Sequence, residues 1–395
     1  MALICGEEEM KEIYLDNAAT TRCLDEAAKK AYDVMTQDFG NPSSLHMKGV
    51  DAERYLDEAR DVISKSLHCK EKEIIFTSGG SESNNTAIIG GALRNERNGK
   101  HIITTAIEHE AVLSPVRSLE KKGFSVTYLP VSGEGIISTD DLSDAMTDDT
   151  VLVSIMHVNN ETGAIQPVEE AANIIHSKND KTIFHVDAIQ SFSKLPIDLR
   201  NTGIDILSVS GHKLHAPKGS GFLFVRDKVL FDPLIYGGGQ EGGLRSGTQN
   251  VPAIAGLCES VRFMTGDMEA HYKHFRELRT RLLSGLSGIE GISFNGSLDE
   301  EKQAPYIVSL SVKDVRAEVL LHALEEKGIF VGAGSACSSN RPHPSSTLKA
   351  MGLEKDLIGS TIRLSFSVFT TDEEIDEAAV ALKELIPVLS RYRRG

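Results

Sequence analysis

The chain has 395 residues, 40% of them hydrophobic and 25% charged, which is an ordinary balance for a globular protein. Its 57 acidic residues outnumber the 42 basic ones, and the formal net charge of -15 argues against direct nucleic-acid binding. No apolar run reaches the roughly 20 residues of a membrane span, and the length predicts two domains.

The amino terminus and the cysteines indicate the cellular compartment. The opening "MALICGEEEMKE" has a short apolar run and lacks the basic region that begins a signal peptide. The cysteines lie far apart without a CxxC pair, so they predict neither a zinc site nor a disulfide framework; they are Cys5, Cys23, Cys69, Cys258 and Cys337. We therefore expect a cytoplasmic protein with reduced thiols and no bound metal.

From Glu73 onwards, short apolar runs alternate with segments of helical spacing. The runs are "EIIFT" (73–77), "HIITT" (101–105), "VLVSIM" (151–156), "IFHVD" (183–187) and "DILSVS" (205–210), and a further apolar strand follows the glycine-rich stretch after the last of them. Helical segments such as "SNNTAIIGGALRNE" and "PVEEAANIIHSK" separate them. Apolar strands joined by helices predict an α/β fold with a mainly parallel sheet covered on both faces.

The pattern changes after about Pro252. A long amphipathic helix is predicted over about 255–288, followed by the strands "YIVSLSV", "IFVGAGSAC" and "TIRLSFS" with a helix around 316–327 and a final helix from about 372. This alternation predicts a smaller α+β domain. We expect residues 22–262 to form the large domain, and residues 1–21 and 263–395 to form the small one.

Polar side chains follow the predicted strands, where ligands bind in open α/β sheets. After "EIIFT" comes "SGGSESNN", whose glycines and helix start suit a phosphate, although such turns are also purely structural. After "HIITT" comes His109, for which a helix cap or a surface role is the alternative. After "VLVSIM" come Asn159, Asn160 and Glu161, which an ordinary turn would also explain.

The last two strand ends add a carboxylate and an amine. "IFHVD" ends in Asp187, with Gln190 close behind, and a buried strand-end aspartate is expected to need a cationic partner. "SVSGHK" supplies His212 and Lys213 after Ser210. The combined inventory matches the needs of pyridoxal phosphate, in which a lysine forms a Schiff base and an aspartate pairs with the pyridinium nitrogen.

The motifs along the chain resemble one enzyme family. They are "YLDNAATT", "GNPSSLH", "FTSGGSESNN", "IEHEAV", "HVNNETGAIQP", "HVDAIQS", "SGHKLHAPKG", "GGGQEGGLRSGT" and "GAGSACSS". In this order they resemble the NifS/IscS-type cysteine desulfurases, over about residues 13 to 385. These fold-type I pyridoxal-phosphate enzymes of the class V aminotransferase family convert L-cysteine to L-alanine and an enzyme-bound persulfide. The resemblance implies a homodimer and a sulfur-acceptor protein, such as an iron–sulfur scaffold or a thiolation enzyme.

The resemblance also implies which residues bind the cofactor. Lys213 would be the Schiff-base lysine, Asp187 would pair with the pyridine nitrogen, and His109 would stack on the ring and move protons. Asn160 and Gln190 would contact the ring. The phosphate would be held by Gly80, Ser81, Ser210 and His212, with Thr248 reaching it from the other subunit.

Two further positions would act on the substrate. Arg363 would bind the carboxylate of L-cysteine, for which a planar guanidinium is suited, and Asn160 would also contact the substrate. Cys337 would accept the sulfur, and its small, polar surroundings "GAGSACSSNRPHPSS" favour an exposed thiol over a buried structural one. The sequence departs from the family at Val368, where an arginine is frequent, and at the unusual residues 340–343.

The sequence leaves two other functional hypotheses open. Another fold-type I enzyme, such as a selenocysteine lyase or an aminotransferase, would use the same cofactor, although a simple aminotransferase needs no nucleophile like Cys337. A catalytically silent binding or scaffold protein would retain the fold alone. The presence of Lys213, Asp187, His109 and Cys337 argues against the silent protein, and a yellow colour of the purified protein would oppose it further.

Overall fold

The structure, a computed structural model, describes residues 11–333 and 344–391. The chain divides into two compact units. The large unit comprises Thr20–Asn160 and Ala164–Tyr272. The small unit comprises Met1–Ala19, Glu161–Gly163 and Lys273–Gly395.

The strands and helices of the described residues are as follows. The strands are β1 (Ile13–Leu15), β2 (Ile74–Thr77), β3 (His101–Thr105), β4 (Ser125–Leu129), β5 (Thr150–Met156), β6 (Ile183–Asp187), β7 (Ile206–Ser210), β8 (Gly221–Val225), β9 (Ile292–Asn295), β10 (Ile307–Val312), β11 (Ile329–Ala333) and β12 (Thr361–Ser365). The helices are α1 (Asp25–Thr36), α2 (Met47–Leu67), α3 (Gly80–Asn85), α4 (Gly91–Arg94), α5 (Glu110–Glu120), α6 (Thr139–Ala145), α7 (Val168–Lys178), α8 (Val251–Gly266), α9 (Met268–Leu286), α10 (Ala317–Glu325), α11 (Ser346–Ala350), α12 (Lys355–Ile358) and α13 (Asp372–Leu389).

A seven-stranded sheet in the order β2-β8-β7-β6-β5-β3-β4 lies at the centre of the large unit. Its strands are parallel except β8, which is antiparallel to both of its neighbours. The predicted, mainly parallel α/β sheet is confirmed, because strands that are buried on both faces read as continuous apolar runs. Strand β4 was not predicted, since it lies at the sheet edge and four of its five side chains are exposed or half-buried.

Helices cover this sheet and complete its core. Ile102 of β3 and Leu152 of β5 are fully buried and pack in one cluster with Val116 of α5 and with Phe124. The predicted helix in "SNNTAIIGGALRNE" is confirmed, but it begins earlier, at Gly80, and a π-helical turn over Thr86–Gly90 joins α3 to α4. Because β5, β6 and β7 are neighbouring parallel strands, their carboxyl ends lie side by side at the same end of the sheet.

The small unit contains a five-stranded sheet in the order β1-β11-β12-β10-β9. The predicted strands β10, β11 and β12 are confirmed, as are the predicted helices α10 and α13. The structure adds β1 and β9, two short edge strands. Strand β1 pairs in parallel with β11, so the amino-terminal segment completes this sheet.

The prediction of one long helix over about 255–288 is wrong. The segment forms two helices, α8 and α9, because Asp267 leaves the helical region with φ -142° and ψ 53°. Glycine and aspartate are poor helix formers, and Gly266 and Asp267 stand together at this break. The large unit ends at Tyr272, and the predicted division into residues 22–262 and residues 1–21 with 263–395 stays a prediction. None of the helices in residues 11–333 and 344–391 has the length and hydropathy needed to cross a membrane.

Candidate active site

Asp187 is the central acidic residue of the large unit. It ends β6 and is buried, and its oxygens accept hydrogen bonds from the Asn84 side chain at 2.7 Å and the Ile189 N–H at 2.9 Å. Burial raises the pKa of Asp187, while these two hydrogen bonds and the nearby charges of His109 and Lys213 lower it. Both hydrogen-bond donors are neutral amides rather than the predicted cation. A buried carboxylate held in this way is suited to pair with a protonated ring nitrogen.

His109 combines two roles that the sequence left as alternatives. It is the N-cap of α5, where its Nδ1 accepts the Ala111 N–H at 3.0 Å. That hydrogen bond places the proton of the neutral imidazole on Nε2. When protonated, His109 lowers the pKa of Asp187, so its ring lies within electrostatic reach of that carboxyl group. The cap thus fixes both the position and the tautomer of a group able to move protons.

Glu108 is a buried carboxyl group that the sequence did not single out. Its Oε1 accepts hydrogen bonds from the Thr105 hydroxyl at 2.7 Å and the Met156 N–H at 2.9 Å. Burial, with a contribution from Asp187, raises the pKa of Glu108 to about 8. A largely protonated Glu108 therefore connects the ends of β3 and β5, directly before His109.

The turn after β2 forms a close-packed glycine cradle. Gly79, with φ of 143°, precedes α3, which begins at Gly80. A Cβ on Gly80 would lie 2.2 Å from Ile189 Cδ1, and a Cβ on Gly79 would lie 3.5 Å from Ser210 Oγ. The first N–H groups of a helix lack acceptors within that helix. These N–H groups and the Ser210 hydroxyl together suit a phosphate, with the exposed Ser81 next in the chain.

His212 and Lys213 follow β7 in a short turn, Gly211–Lys213. His212 Nδ1 lies 3.1 Å from Thr20 Oγ1. Burial, and then the charges of Lys213, Lys218 and Lys194, lower the pKa of His212 to about 4, so its imidazole is neutral at pH 7. A neutral imidazole can still donate one N–H to a phosphate.

A second lysine is buried near Lys213 and was not predicted from the sequence. Lys194 is 5% exposed, and burial together with the charge of Lys213 lowers its pKa to about 7. Two amines are thus close enough to repel one another when both are charged. Such repulsion favours the neutral, nucleophilic form of an amine.

The remaining predicted cofactor residues of the large unit differ in exposure. Gln190 is buried in the turn after β6, and Asn160 is half-buried after β5, at the same sheet edge as Asp187. Thr248 is exposed. Its loop is held by two carboxylates: Arg245 Nε lies 2.8 Å from Glu82, and Gln249 donates to Glu241 at 3.0 Å.

Arg363 belongs to the small unit. It lies in β12 and is 4% exposed, and its Nη2 donates to Asp16 Oδ1 at 2.6 Å. The sequence indicated Arg363 but not its partner, although Asp16 stands in the quoted motif "YLDNAATT". Val368 follows in a turn and is half-buried.

Cys337 and residues 340–343 lie outside the described residues. Three other cysteines are described, and burial raises the pKa of each thiol, to about 12 for Cys69 and Cys258. At neutral pH these three thiols are protonated, whereas the nucleophilic form of cysteine is the thiolate.

The residues of the large unit fit pyridoxal phosphate. A side chain at Gly80 would fill the space beside Ser210, Asp187 is a buried carboxylate held by neutral donors, and Lys213 and His109 lie within electrostatic reach of it. By contrast, residues 11–333 and 344–391 contain no cluster of three His, Cys, Asp or Glu that could hold a metal ion. The described site therefore supplies the groups that an aldehyde cofactor with a phosphate and a ring nitrogen requires.

Known proteins are similar to this chain over nearly its whole length. Residues 13–378 match the family model of aminotransferase class-V. The cysteine desulfurase IscS of Vibrio vulnificus (strain YJ016) is 45% identical, covering 97% of this chain and 96% of its own. A solved structure described as a NifS-like protein is 38% identical with a TM-score of 0.90, covering 96% of this chain and 100% of its own. A structure of SspA in complex with cysteine is 34% identical with a TM-score of 0.79, covering 91% and 100%.

Proposed function

The chain belongs to the class-V aminotransferase family and is a pyridoxal-phosphate-dependent cysteine desulfurase, and we propose that Lys213, Asp187, His109, Arg363 and Cys337 carry its reaction. The observation that supports this assignment most directly is the buried Asp187 carboxylate, which lies between amide donors and within electrostatic reach of Lys213 and His109. Loss of activity in Lys213→Ala and in Cys337→Ala tests the assignment.

The chemistry divides between the cofactor and the chain. When bound, pyridoxal phosphate withdraws electrons from the α-carbon of an amino acid joined to it. Asp187 keeps the ring nitrogen protonated, which requires a carboxylate in that position. Lys213 would hold the cofactor through its aldehyde group, and the free amine of Lys213 would act as the base that takes the α-proton of the substrate. His109 would act as a proton donor through its Nε2–H, because Nδ1 already accepts the Ala111 N–H.

Cys337 carries the sulfur transfer. Its thiolate attacks the sulfur of L-cysteine and forms an S–S bond, while the carbon–sulfur bond of the substrate breaks. The electron pair of that bond stays with the substrate carbon, which takes a proton and becomes the methyl group of L-alanine. The sulfur remains on Cys337 as a persulfide, ready for an acceptor.

Replacing Arg363 by alanine is expected to raise the KM for L-cysteine about 10- to 100-fold, with little change in the absorbance of the bound cofactor. A charge-assisted pair with a carboxylate is worth about 1.5–3 kcal/mol. In addition, Asp16 would lose its partner and repel the substrate carboxylate. Steady-state kinetics measures the KM. Arg363→Lys is the control, because lysine keeps the positive charge but cannot bind a carboxylate through two parallel N–H groups. An unchanged KM would remove Arg363 from the substrate site.

We expect the active enzyme to be a homodimer. Support comes from the exposure of Thr248 on its anchored loop and from the apolar side chains that the large unit exposes, Phe39 (69%), Leu45 (102%) and Tyr236 (78%). Large exposed apolar groups of this kind mark interaction surfaces. Sedimentation equilibrium should give twice the chain mass, and Thr248→Ala should weaken cofactor binding without changing that mass. An active monomer with full cofactor would contradict the proposal.

The sulfur acceptor is proposed to be a cytoplasmic protein of iron–sulfur cluster assembly or of tRNA or cofactor thiolation. Support comes from the family of the chain. Incubating the enzyme with L-[³⁵S]cysteine and soluble extract should label the acceptor, and Cys337→Ala should abolish that labelling. Label that persists with the variant would contradict transfer through this thiol.

A further inference from the structure

Three adjacent strands of the small unit bring Asp16 and Arg363 together. Leu15 of β1 pairs with Val331 of β11, and Gly332 of β11 pairs with Arg363 of β12. Asp16, the residue after Leu15, thus comes beside Gly332. Asp16 also forms an isolated β-bridge with Ser365, two residues after Arg363 in β12.

Gly332 is what allows their side chains to meet. A Cβ on this residue would lie 2.5 Å from Asp16 Oδ1 and 2.9 Å from Arg363 Nη2, closer than real Cβ contacts. Without a side chain on the middle strand, Arg363 reaches over β11 to Asp16 and forms the 2.6 Å ion pair. A glycine, an aspartate and an arginine in one row across the sheet therefore form a single structural feature, here called the Asp16–Arg363 row.

The ion pair changes what an incoming carboxylate encounters. Arg363 alone would present a buried positive charge, but Asp16 neutralises it and engages one nitrogen of the guanidinium. The side chains are 4% and 21% exposed, so water screens the pair weakly. A carboxylate then binds an arginine that is held in one orientation and whose charge is already compensated.

We propose that Asp16 is a positioning residue that lowers the affinity of Arg363 for α-carboxylates. This inference rests on the proposed carboxylate role of Arg363. Substrate and product share the same α-carboxylate, so a strongly cationic site would retain L-alanine after each turnover. With Asp16 present, the orientation of the guanidinium is retained while part of its attraction is offset, which favours release of the product.

The test measures binding of the product rather than turnover. In the holoenzyme, Asp16→Asn keeps an oxygen that can accept from Arg363 Nη2 but removes the negative charge. Isothermal titration calorimetry should show L-alanine binding about tenfold more tightly than to the wild type. L-alaninamide, which lacks the carboxylate, should bind no more tightly. Unchanged or weaker L-alanine binding, or equal tightening for both ligands, would overturn the proposal.

Two further variants separate this inference from the proposed function. In Gly332→Ala the added Cβ would lie 2.9 Å from Arg363 Nη2 and displace the guanidinium itself, so L-alanine binding should weaken about tenfold while the cofactor absorbance persists. Unchanged or tighter binding would contradict the role of the row. Arg363→Ala tests the premise, since unchanged L-alanine binding there would show that Arg363 does not hold the carboxylate. If Arg363→Ala weakens binding but Asp16→Asn does not tighten it, the proposed function stands and the role of Asp16 fails.

Discussion

Replacing Lys213 by alanine is expected to eliminate desulfuration, with a loss of about 1,000-fold or more, and to remove the visible absorbance of the lysine-bound cofactor. The side chain would supply both the covalent attachment and the base, and alanine can do neither. The turn Gly211–Lys213 that follows β7 places this amine within electrostatic reach of Asp187, where a ring nitrogen would bind. Absorbance spectra and alanine formation from L-cysteine measure the two effects.

Lys218 provides a matched control for this experiment. It lies in the same motif, "SGHKLHAPKG", but its side chain is exposed. Lys218→Ala should keep the visible band and most of the activity. If Lys213→Ala retained the band while Lys194→Ala lost it, the attachment site would be the buried neighbour instead, and the assignment of Lys213 would be wrong.

Replacing Cys337 by alanine is expected to leave cofactor binding intact while persulfide and alanine formation from L-cysteine fall by about 1,000-fold or more. In the proposed mechanism Lys213 and Asp187 would act on the α-carbon, and that step would need no thiol. The spectrum should therefore still change on addition of L-cysteine, but nothing would remain to attack the substrate sulfur. Alanine production and persulfide labelling measure the loss directly.

Two comparisons sharpen the Cys337 experiment. Cys69→Ala and Cys258→Ala remove a half-buried and a buried thiol, each with its pKa raised by burial to about 12, and both variants should keep full activity if they fold. L-selenocysteine as substrate separates the rival lyase, because selenium leaves more readily than sulfur and its release needs no protein thiol. If Cys337→Ala loses alanine formation from L-cysteine but keeps it from L-selenocysteine, the result agrees with the desulfurase mechanism. Near-normal alanine from L-cysteine in the variant would contradict it.

Much of the sheet in the large unit could be predicted from the sequence, because burial on both faces leaves an unbroken apolar run. Strand β5 is buried along its whole length and was predicted to within one residue. Strands β4 and β9 escaped prediction since both lie at sheet edges, where exposed positions interrupt the pattern. The break at Asp267 escaped for a different reason: apolar spacing continues on both sides of a single non-helical residue.

The sequence by itself determined which chemical groups stand at the strand ends, because Asp187 ends a run that is typical of a buried strand, and His109 and Lys213 follow two others. Their partners depended on the tertiary structure. Asn84 meets Asp187 across 103 residues, Met156 donates to Glu108 across 48, and Arg363 reaches Asp16 across 347. No local spacing predicts such pairs, because they arise when strand order and register place distant residues side by side. Gly332 shows this most clearly. A side chain there would collide with Asp16 and Arg363, and this becomes visible only once the neighbouring strands are in place.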